Sequence, residues 1–364
     1  MEYNSGTVKT VINLDDPSVY KQYDTQGMAN HLRQMPQLCQ QAWQLAMKFN
    51  LPKDYAEVNK IVILGMGGSA IGGSLVSSLA ASEAKLPILV HRDYNLPACV
   101  DDKTLVIASS YSGNTEETLS GFEQALETTA KKLAITTDGK LKTMAEEKGI
   151  PVFSFDYKAP PRAALAFSFL TLLCFLQKLG FVRDKSTDLK ETIVVLEQLV
   201  QKINESVPTP QNAAKQMAGW LCGKIPVIYG VGITAEVAYR WKTQFNENSK
   251  ACAFHQVFPE LNHNAVVGYQ FPEELKNKIQ VVMLNSTYLN KRTQLRYRIT
   301  AKLLEQARIG YQMVAANGAS ALSQMMGLVL LGDYVSYYLA ILYQIDPTPV
   351  KVIDFLKAEL AKEE

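Results

Sequence analysis

The sequence predicts an α/β fold of two parallel, doubly wound sheets flanked by helices and completed by carboxy-terminal helices. Three observations carry that expectation. Short apolar, often β-branched runs end in turns rich in Gly, Ser or Thr; those turns lead into helical patterns; and the rhythm restarts beyond Val207-Pro208-Thr209-Pro210. Apolar runs suit strands of a parallel sheet because both of its faces are covered. The restart points to an internal duplication.

Residues 28–49 carry apolar side chains at helical spacing (Leu32, Met35, Leu38, Ala42, Leu45, Ala46), and Pro36 either breaks this segment or opens its longer helix. Ile61-Val62-Ile63-Leu64 reads as the first strand. It runs into Gly65-Met66-Gly67-Gly68-Ser69, with Ser69 expected as the cap of a helix reaching Leu79. Ile88–Val90 and Thr104–Ser109 are further strands, the latter followed by Ser110-Tyr111-Ser112-Gly113-Asn114-Thr115 and the acidic helix start Glu116-Glu117. Lys132–Thr136 and Pro151–Phe155 complete a five-stranded unit, with a short helix over 141–148 between them. After Pro160-Pro161, residues 162–180 form an apolar helix that Arg162 opens, and 189–203 an amphipathic one. In the second half, Ile225–Tyr229 and Ile279–Leu284 are strands, 234–245 and 291–308 helices, 319–343 a largely apolar helix, and 350–360 a final amphipathic one. The expected division is a helical segment over 1–50, a first subdomain over 51–205, a second over 211–330 and a helical segment over 331–364.

Composition narrows the function classes. With 37 basic against 35 acidic residues, nothing suggests an electrostatic footprint for nucleic acid or anionic membrane, and the expected partner is small. Five scattered cysteines, never spaced C-x-x-C, favour a reducing cytoplasm over a disulfide framework or zinc site. Met1–Ser5 lacks the basic and apolar regions of a secretory signal, and the apolar run 163–176 falls short of the roughly 20 residues of a membrane span. Four histidines (His31, His91, His255, His263) offer no H-E-x-x-H or comparable metal-ligand spacing.

Two strand-to-helix turns could carry chemistry. Gly65-x-Gly67-x-x-Ala70 satisfies the permissive dinucleotide fingerprint, and His91-Arg92-Asp93 supplies an acidic residue for a ribose; a phosphate cradle and a tight turn without ligand fit the same residues. A Walker loop does not, because Gly67-x4-Gly72 is followed by Gly73-Ser74 and lacks the lysine. At the second turn, Ser110, Ser112 and Thr115 present three hydroxyls beside a helix N-terminus, a composition shared by phosphate loops and local capping clusters. Glu116 and Glu117 read as partners of the helix dipole.

Gly-Met-Gly-Gly-Ser at 65–69, Ser-Tyr-Ser-Gly-Asn-Thr-Glu-Glu-Thr at 110–118, Asn246-Glu247-Asn248 and Phe258-Pro259-Glu260-Leu261-Asn262-His263-Asn264 together resemble the bifunctional phosphoglucose/phosphomannose isomerases of archaea and bacteria, from about Gly27 to Lys357. The resemblance implies two sugar-isomerase (SIS) subdomains of flavodoxin-like type. It also implies interconversion of glucose 6-phosphate or mannose 6-phosphate with fructose 6-phosphate through an enediol, without a cofactor or metal. It makes Glu247 the proton-carrying base, His263 and Lys357 the ring-opening pair, and Arg162 the group that neutralises the enediolate. Ser110, Ser112 and Thr115 would hold the phosphate and Gly67, Gly68 and Ser69 would wall the sugar, while Thr348 is the counterpart of a threonine that admits the mannose epimer. A homodimer is implied, with active sites near the interface and His263 acting in its own or the neighbouring subunit; the apolar helices at 163–176 and 319–343 offer surface for it, or serve as core. Ala265 departs from the family's commoner glutamate at that place. SIS domains also serve as non-catalytic sugar-phosphate sensors and as halves of amidotransferases. Glu2 stands where the latter's cysteine nucleophile would follow the initiator Met, and both Glu247 and His263, which a sensor could lose, are present.

Overall fold

The computed structural model describes residues 12–363, so the extreme amino-terminal segment read for a signal lies outside the described residues. Three helices open the chain: α1 (Pro17–Tyr23), α2 (Met28–Arg33) and α3 (Met35–Lys48). Pro36 sits in the first turn of α3, where its missing N–H costs nothing, so it opens the longer helix. A βα succession follows: β1 (Lys60–Leu64), α4 (Gly67–Ala80), β2 (Ile88–His91), β3 (Thr104–Ser109), α5 (Glu116–Leu126), β4 (Lys131–Thr136), α6 (Lys140–Glu147) and β5 (Val152–Ser154). These strands form one parallel sheet in the order β2-β1-β3-β4-β5, with Val62 beside Leu89 on one side and Val106 on the other. That order reverses direction between β1 and β3, and the carboxyl ends of those two strands are where an open sheet of this kind takes its ligand.

Alternation along the strands explains the burial. Ile61, Ile63, Leu105, Ile107, Leu133 and Ile135 face the central core, whereas Val62, Leu64, Val106, Ala108 and Ala134 face a second cluster beneath α5 and α6. The connection to the second sheet is helical: a short 3-10 turn at Pro161–Ala164, then α7 (Leu165–Lys178), α8 (Ser186–Ile203) and α9 (Ala213–Leu221). Arg162 therefore rides on the tight turn ahead of α7 and does not open the long helix itself.

The second sheet comprises β6 (Ile225–Gly230), then after α10 (Ala235–Glu247) β7 (Phe254–Val257) and β8 (Ile279–Asn285), and after α11 (Lys291–Gln306) β9 (Gly310–Ala315). Its order, β7-β6-β8-β9, repeats the first four positions of the first sheet, all parallel. β7 and β9 are absent from the sequence-based expectation. Both are edge strands with half-exposed, partly polar residues such as Gln256 and Gln312, so neither shows the apolar run of a central strand.

Helix α12 (Ala321–Leu342) is buried on nearly all sides between α8, α9 and α10. Position 330, the expected end of the second subdomain, lies inside this continuous helix. It is the one described helix long and apolar enough to cross a membrane by length and composition, and it is almost wholly enclosed by the chain. α7 is equally interior, so both apolar helices are core and neither leaves an apolar face for association. The last helix, α13 (Lys351–Leu360), is the opposite: Val352, Ile353, Phe355, Leu356 and Leu360 are all exposed.

Candidate active site

The carboxyl end of β1 turns through Gly65 and Met66 into α4, which begins at Gly67 with the left-handed φ of 47° that glycine adopts without strain. Met66 is the cap residue, and Ser69 lies within the first helical turn. Instead of capping, the Ser69 hydroxyl accepts a hydrogen bond from the backbone N–H of Tyr111 at 3.2 Å, joining the two turns the sequence singled out. Gly68 is needed for a close approach: a Cβ there would lie 2.8 Å from the Pro161 carbonyl oxygen. The α4 turn thus lies flush against the turn that carries Arg162.

At the end of β3, the Ser110 hydroxyl is within 2.8 Å of the Thr115 hydroxyl and accepts from Gly113 N–H at 3.1 Å. Asn114 N–H donates to Ser112 Oγ at 3.2 Å. Thr115 occupies the cap position of α5 without capping it, because its hydroxyl is turned toward Ser110. Three hydroxyls and a free helix N-terminus therefore gather at the carboxyl edge, a disposition suited to an anion. The corresponding turn of the second sheet, after β8, is closed. Ser286 Oγ donates to the Gln324 side-chain oxygen at 2.7 Å, Thr287 N–H donates to that oxygen at 3.2 Å, and the Gln324 amide donates back to Thr287 Oγ1 at 2.7 Å.

Arg162 and Glu247, 85 positions apart, meet at a small cleft that Gly67, Gly68, Tyr239 and Thr243 also line. Arg162 Nη1 stands 3.5 Å from Glu247 Oε2; the guanidinium is buried and the carboxylate is open on the cleft side. Burial pushes the Arg162 pKa down, against the raising influence of Glu247. Every other donor of that guanidinium with a partner is fixed: Nε to Asn248 Oδ1 at 2.7 Å, and Nη2 to the carbonyls of Pro347 and Thr348 at 2.8 and 2.7 Å. Behind it, Arg240 donates to the Arg162 carbonyl at 3.1 Å and pairs with Asp333 (Nη2 to Oδ2 2.7 Å, Nε to Oδ1 3.1 Å), which also accepts from Gln244 at 3.0 Å. A fixed cation beside an accessible carboxylate can move a proton and stabilise the anion that results.

The remaining expected residues are placed as follows. Thr348 is buried, its N–H donating to Asp346 Oδ1 at 2.8 Å, and its hydroxyl has no partner among the described residues. His263 lies exposed at the end of the 3-10 turn Glu260–His263, and Lys357 is exposed on α13; the side chain of neither makes a hydrogen bond or ion pair among the described residues. A single chain therefore joins Glu247, Arg162 and the glycine turn at one cleft and does not bring His263 or Lys357 into contact with them. His255 packs against the Tyr239 ring at 5.0 Å, and burial lowers its pKa. Among the described residues, no group of three or more His, Cys, Asp or Glu side chains is placed to hold a metal ion.

Sequence reasoning assigned no role to Asn248, Lys250, Tyr239, Arg240 or Asp333. Asn248 closes the quoted Asn246–Asn248 motif and Lys250 lies two residues beyond it, and a signal was available in that concentration of polar residues directly after a buried helix face. Asp333 carried a fainter one, as the single charge within the apolar pattern of α12, whereas Arg240 stands among other charged residues of α10 and had none.

Comparison with known proteins agrees with this geometry. Residues 210–360 match the family model described as the bacterial phospho-glucose isomerase C-terminal SIS domain. The bifunctional phosphoglucose/phosphomannose isomerase of Caldicellulosiruptor bescii is 46% identical over 90% of this chain and 97% of its own length, and that of Aquifex aeolicus 40% over 86% and 94%. In fold, the C-terminal domain of glucosamine-fructose-6-phosphate aminotransferase from Francisella tularensis superposes with a TM-score of 0.70 at 15% identity, covering 88% of this chain and 98% of that one. Two sheets of one strand order, the paired turns on the first of them and similarity along nearly the full length place this chain in the bifunctional phosphoglucose/phosphomannose isomerase family.

Proposed function

We propose that the protein interconverts glucose 6-phosphate and mannose 6-phosphate with fructose 6-phosphate by a metal-independent proton transfer through an enediol. The observation that carries this reading is the Arg162–Glu247 pair at the mouth of a cleft roofed by Gly67 and Gly68. Glu247 takes the proton from one of the two adjacent sugar carbons and returns it to the other. Arg162, already charged and already oriented, stabilises the oxyanion that develops between the two steps at no cost in reorganisation. Ser110, Ser112 and Thr115 hold the phosphate at the end of β3, and the Gly67–Ser69 backbone lies along the sugar. Thr348, whose carbonyl accepts from Arg162, is the residue that admits the mannose epimer.

Ring opening falls to His263 and Lys357. Their exposure in a single chain supports a homodimer in which a second copy supplies the missing side of the site, His263 coming from the neighbour. The exposed apolar residues of α13 favour the same assembly. The free thiols fit a cytoplasmic enzyme. In this reading residues 51–205 form the phosphate-holding subdomain, 211–330 the base-bearing one, and 1–50 and 331–364 the helical segments that flank them.

The test is a coupled assay of fructose 6-phosphate formed from each hexose phosphate, with chelator present. Glu247→Gln should lower kcat by about 10²–10⁴-fold, the usual contribution of a positioned base. Undiminished turnover in that variant removes Glu247 as the base. Absence of turnover on either sugar by the wild type favours the non-catalytic sugar-phosphate sensor.

A further inference from the structure

The loop between α12 and α13 is strapped down by two cations from distant parts of the chain. Arg162 supplies one pair of hydrogen bonds, to the carbonyls of Pro347 and Thr348. Lys250 supplies the other contacts: its amine donates to Asp346 O at 2.7 Å, to Pro347 O at 2.9 Å and to Asn248 O at 3.2 Å. Three consecutive carbonyls are thereby held by two side chains.

Lys250 stands just past Glu247, at the end of α10, with a φ of 50°. A residue with a side chain adopts that left-handed conformation only where its surroundings fix it. The surroundings do so here. Asn248 donates to Ser336 Oγ at 2.9 Å and Ser249 donates to the Ser336 carbonyl at 2.6 Å, so the segment is bolted to α12 on one side while Lys250 reaches the strap on the other. Although the residue as a whole is exposed, its amine is turned inward onto the carbonyls, and burial of that end pushes its pKa down to about 8. Arg162 lowers it further, while Asp346 and Glu247 act in the opposite direction.

We propose that Lys250 is a positioning residue, fixing the 346–348 strap, and with it Thr348, against the helix end that carries Glu247. The catalytic part of this inference rests on the proposed isomerase function; the structural part does not. A protonated amine has three N–H groups for its three carbonyls, whereas a neutral amine has two, so the strap loosens as pH rises through about 8.

Two measurements on the full chain separate these parts. By hydrogen exchange, the peptide covering 344–352 should exchange at least about tenfold faster in Lys250→Met than in wild type, the equivalent of one net hydrogen bond, with α4 unchanged. By kinetics, the same variant should lose at least about tenfold in kcat with KM within about twofold, because the phosphate-holding hydroxyls are untouched. Lys250→Arg keeps a charged donor and should restore most of kcat while moving the alkaline limb of activity upward, since a guanidinium does not deprotonate in that range. Unchanged exchange in Lys250→Met, kcat retained within about twofold, or an alkaline limb that stays near pH 8 in Lys250→Arg would each overturn the proposal. If the wild type turns over neither sugar, the isomerase reading has failed, and the exchange result still decides whether Lys250 holds the strap.

Discussion

Replacement of Asp333 tests the frame beneath the candidate site. Asp333 and Arg240 are each 1% exposed, and the carboxylate accepts three hydrogen bonds: two from Arg240 and one from Gln244. Asp333→Leu leaves a guanidinium enclosed without a counter-charge and an amide without an acceptor. Removing one partner of a buried pair costs about 3–5 kcal/mol, and a stranded buried donor about 1–3 kcal/mol, so a loss of roughly 4 kcal/mol or more is expected. Asp333→Asn keeps the shape and one acceptor oxygen and should fall near the lower figure, about 3 kcal/mol. The double substitution Arg240→Met with Asp333→Leu should recover most of the loss, because an apolar pair of similar volume does not require a buried charge to be solvated. Equilibrium urea unfolding followed by tryptophan fluorescence and circular dichroism reads all three; Trp241, whose indole donates to Leu328 O at 2.8 Å, reports from the same interface. A cost below about 1 kcal/mol for Asp333→Asn, or a double variant as unstable as the sum of its singles, would refute the reasoning.

Two further outcomes follow from the same geometry. Gly68→Ala places a Cβ 2.8 Å from the Pro161 carbonyl oxygen and 3.2 Å from the Arg162 nitrogen; both are backbone atoms, so the Arg162 turn must move, at about 1–3 kcal/mol and with a fall in kcat measurable in the coupled assay. Burial opposes ionisation of Glu191, but hydrogen bonds from Ala319 and Ser320 N–H and from Ser320 and Ser323 outweigh it and hold the carboxyl below its usual range. A carboxyl with a depressed folded-state pKa contributes stability that is present above its unfolded value and lost as pH falls through the folded one. Thermal unfolding of wild type should therefore lose stability relative to Glu191→Gln below about pH 4.5, whereas at pH 7 the wild type should be the more stable.

The parts of the fold legible in the sequence are those whose physics is local. The central strands announce themselves because every residue from Ile61 to Leu64 and from Thr104 to Ser109 is buried, one face on each core. β7 and β9 escape because an edge strand with one open face tolerates polar residues at any position. The two turns of the first sheet were likewise readable, each being a run of special residues between a strand and a helix. Their internal geometry was less so. Ser69 and Thr115 are residues expected to cap, yet the Ser69 hydroxyl serves the neighbouring turn at Tyr111, which the approach of β1 and β3 brings within reach, and the Thr115 hydroxyl pairs with Ser110 inside its own turn. The Arg162–Asn248–Thr348 convergence has no local signature, since its members come from three remote segments and are joined only by packing.

The stoppered turn after β8 gives the duplication a division of labour. Gln324 already occupies the donors and acceptors of Ser286 and Thr287, so the proposed phosphate turn of the first sheet has no open counterpart in the turn after β8. The copy relieved of that task kept its strand order and used the helix after its first strand, α10, to carry a carboxylate toward the other copy's glycine turn. Grafting the Ser110–Thr115 turn onto the second sheet would not create another site unless Gln324 were shortened as well. The two halves are therefore no longer interchangeable, and substitutions at topologically equivalent positions are expected to have unequal consequences.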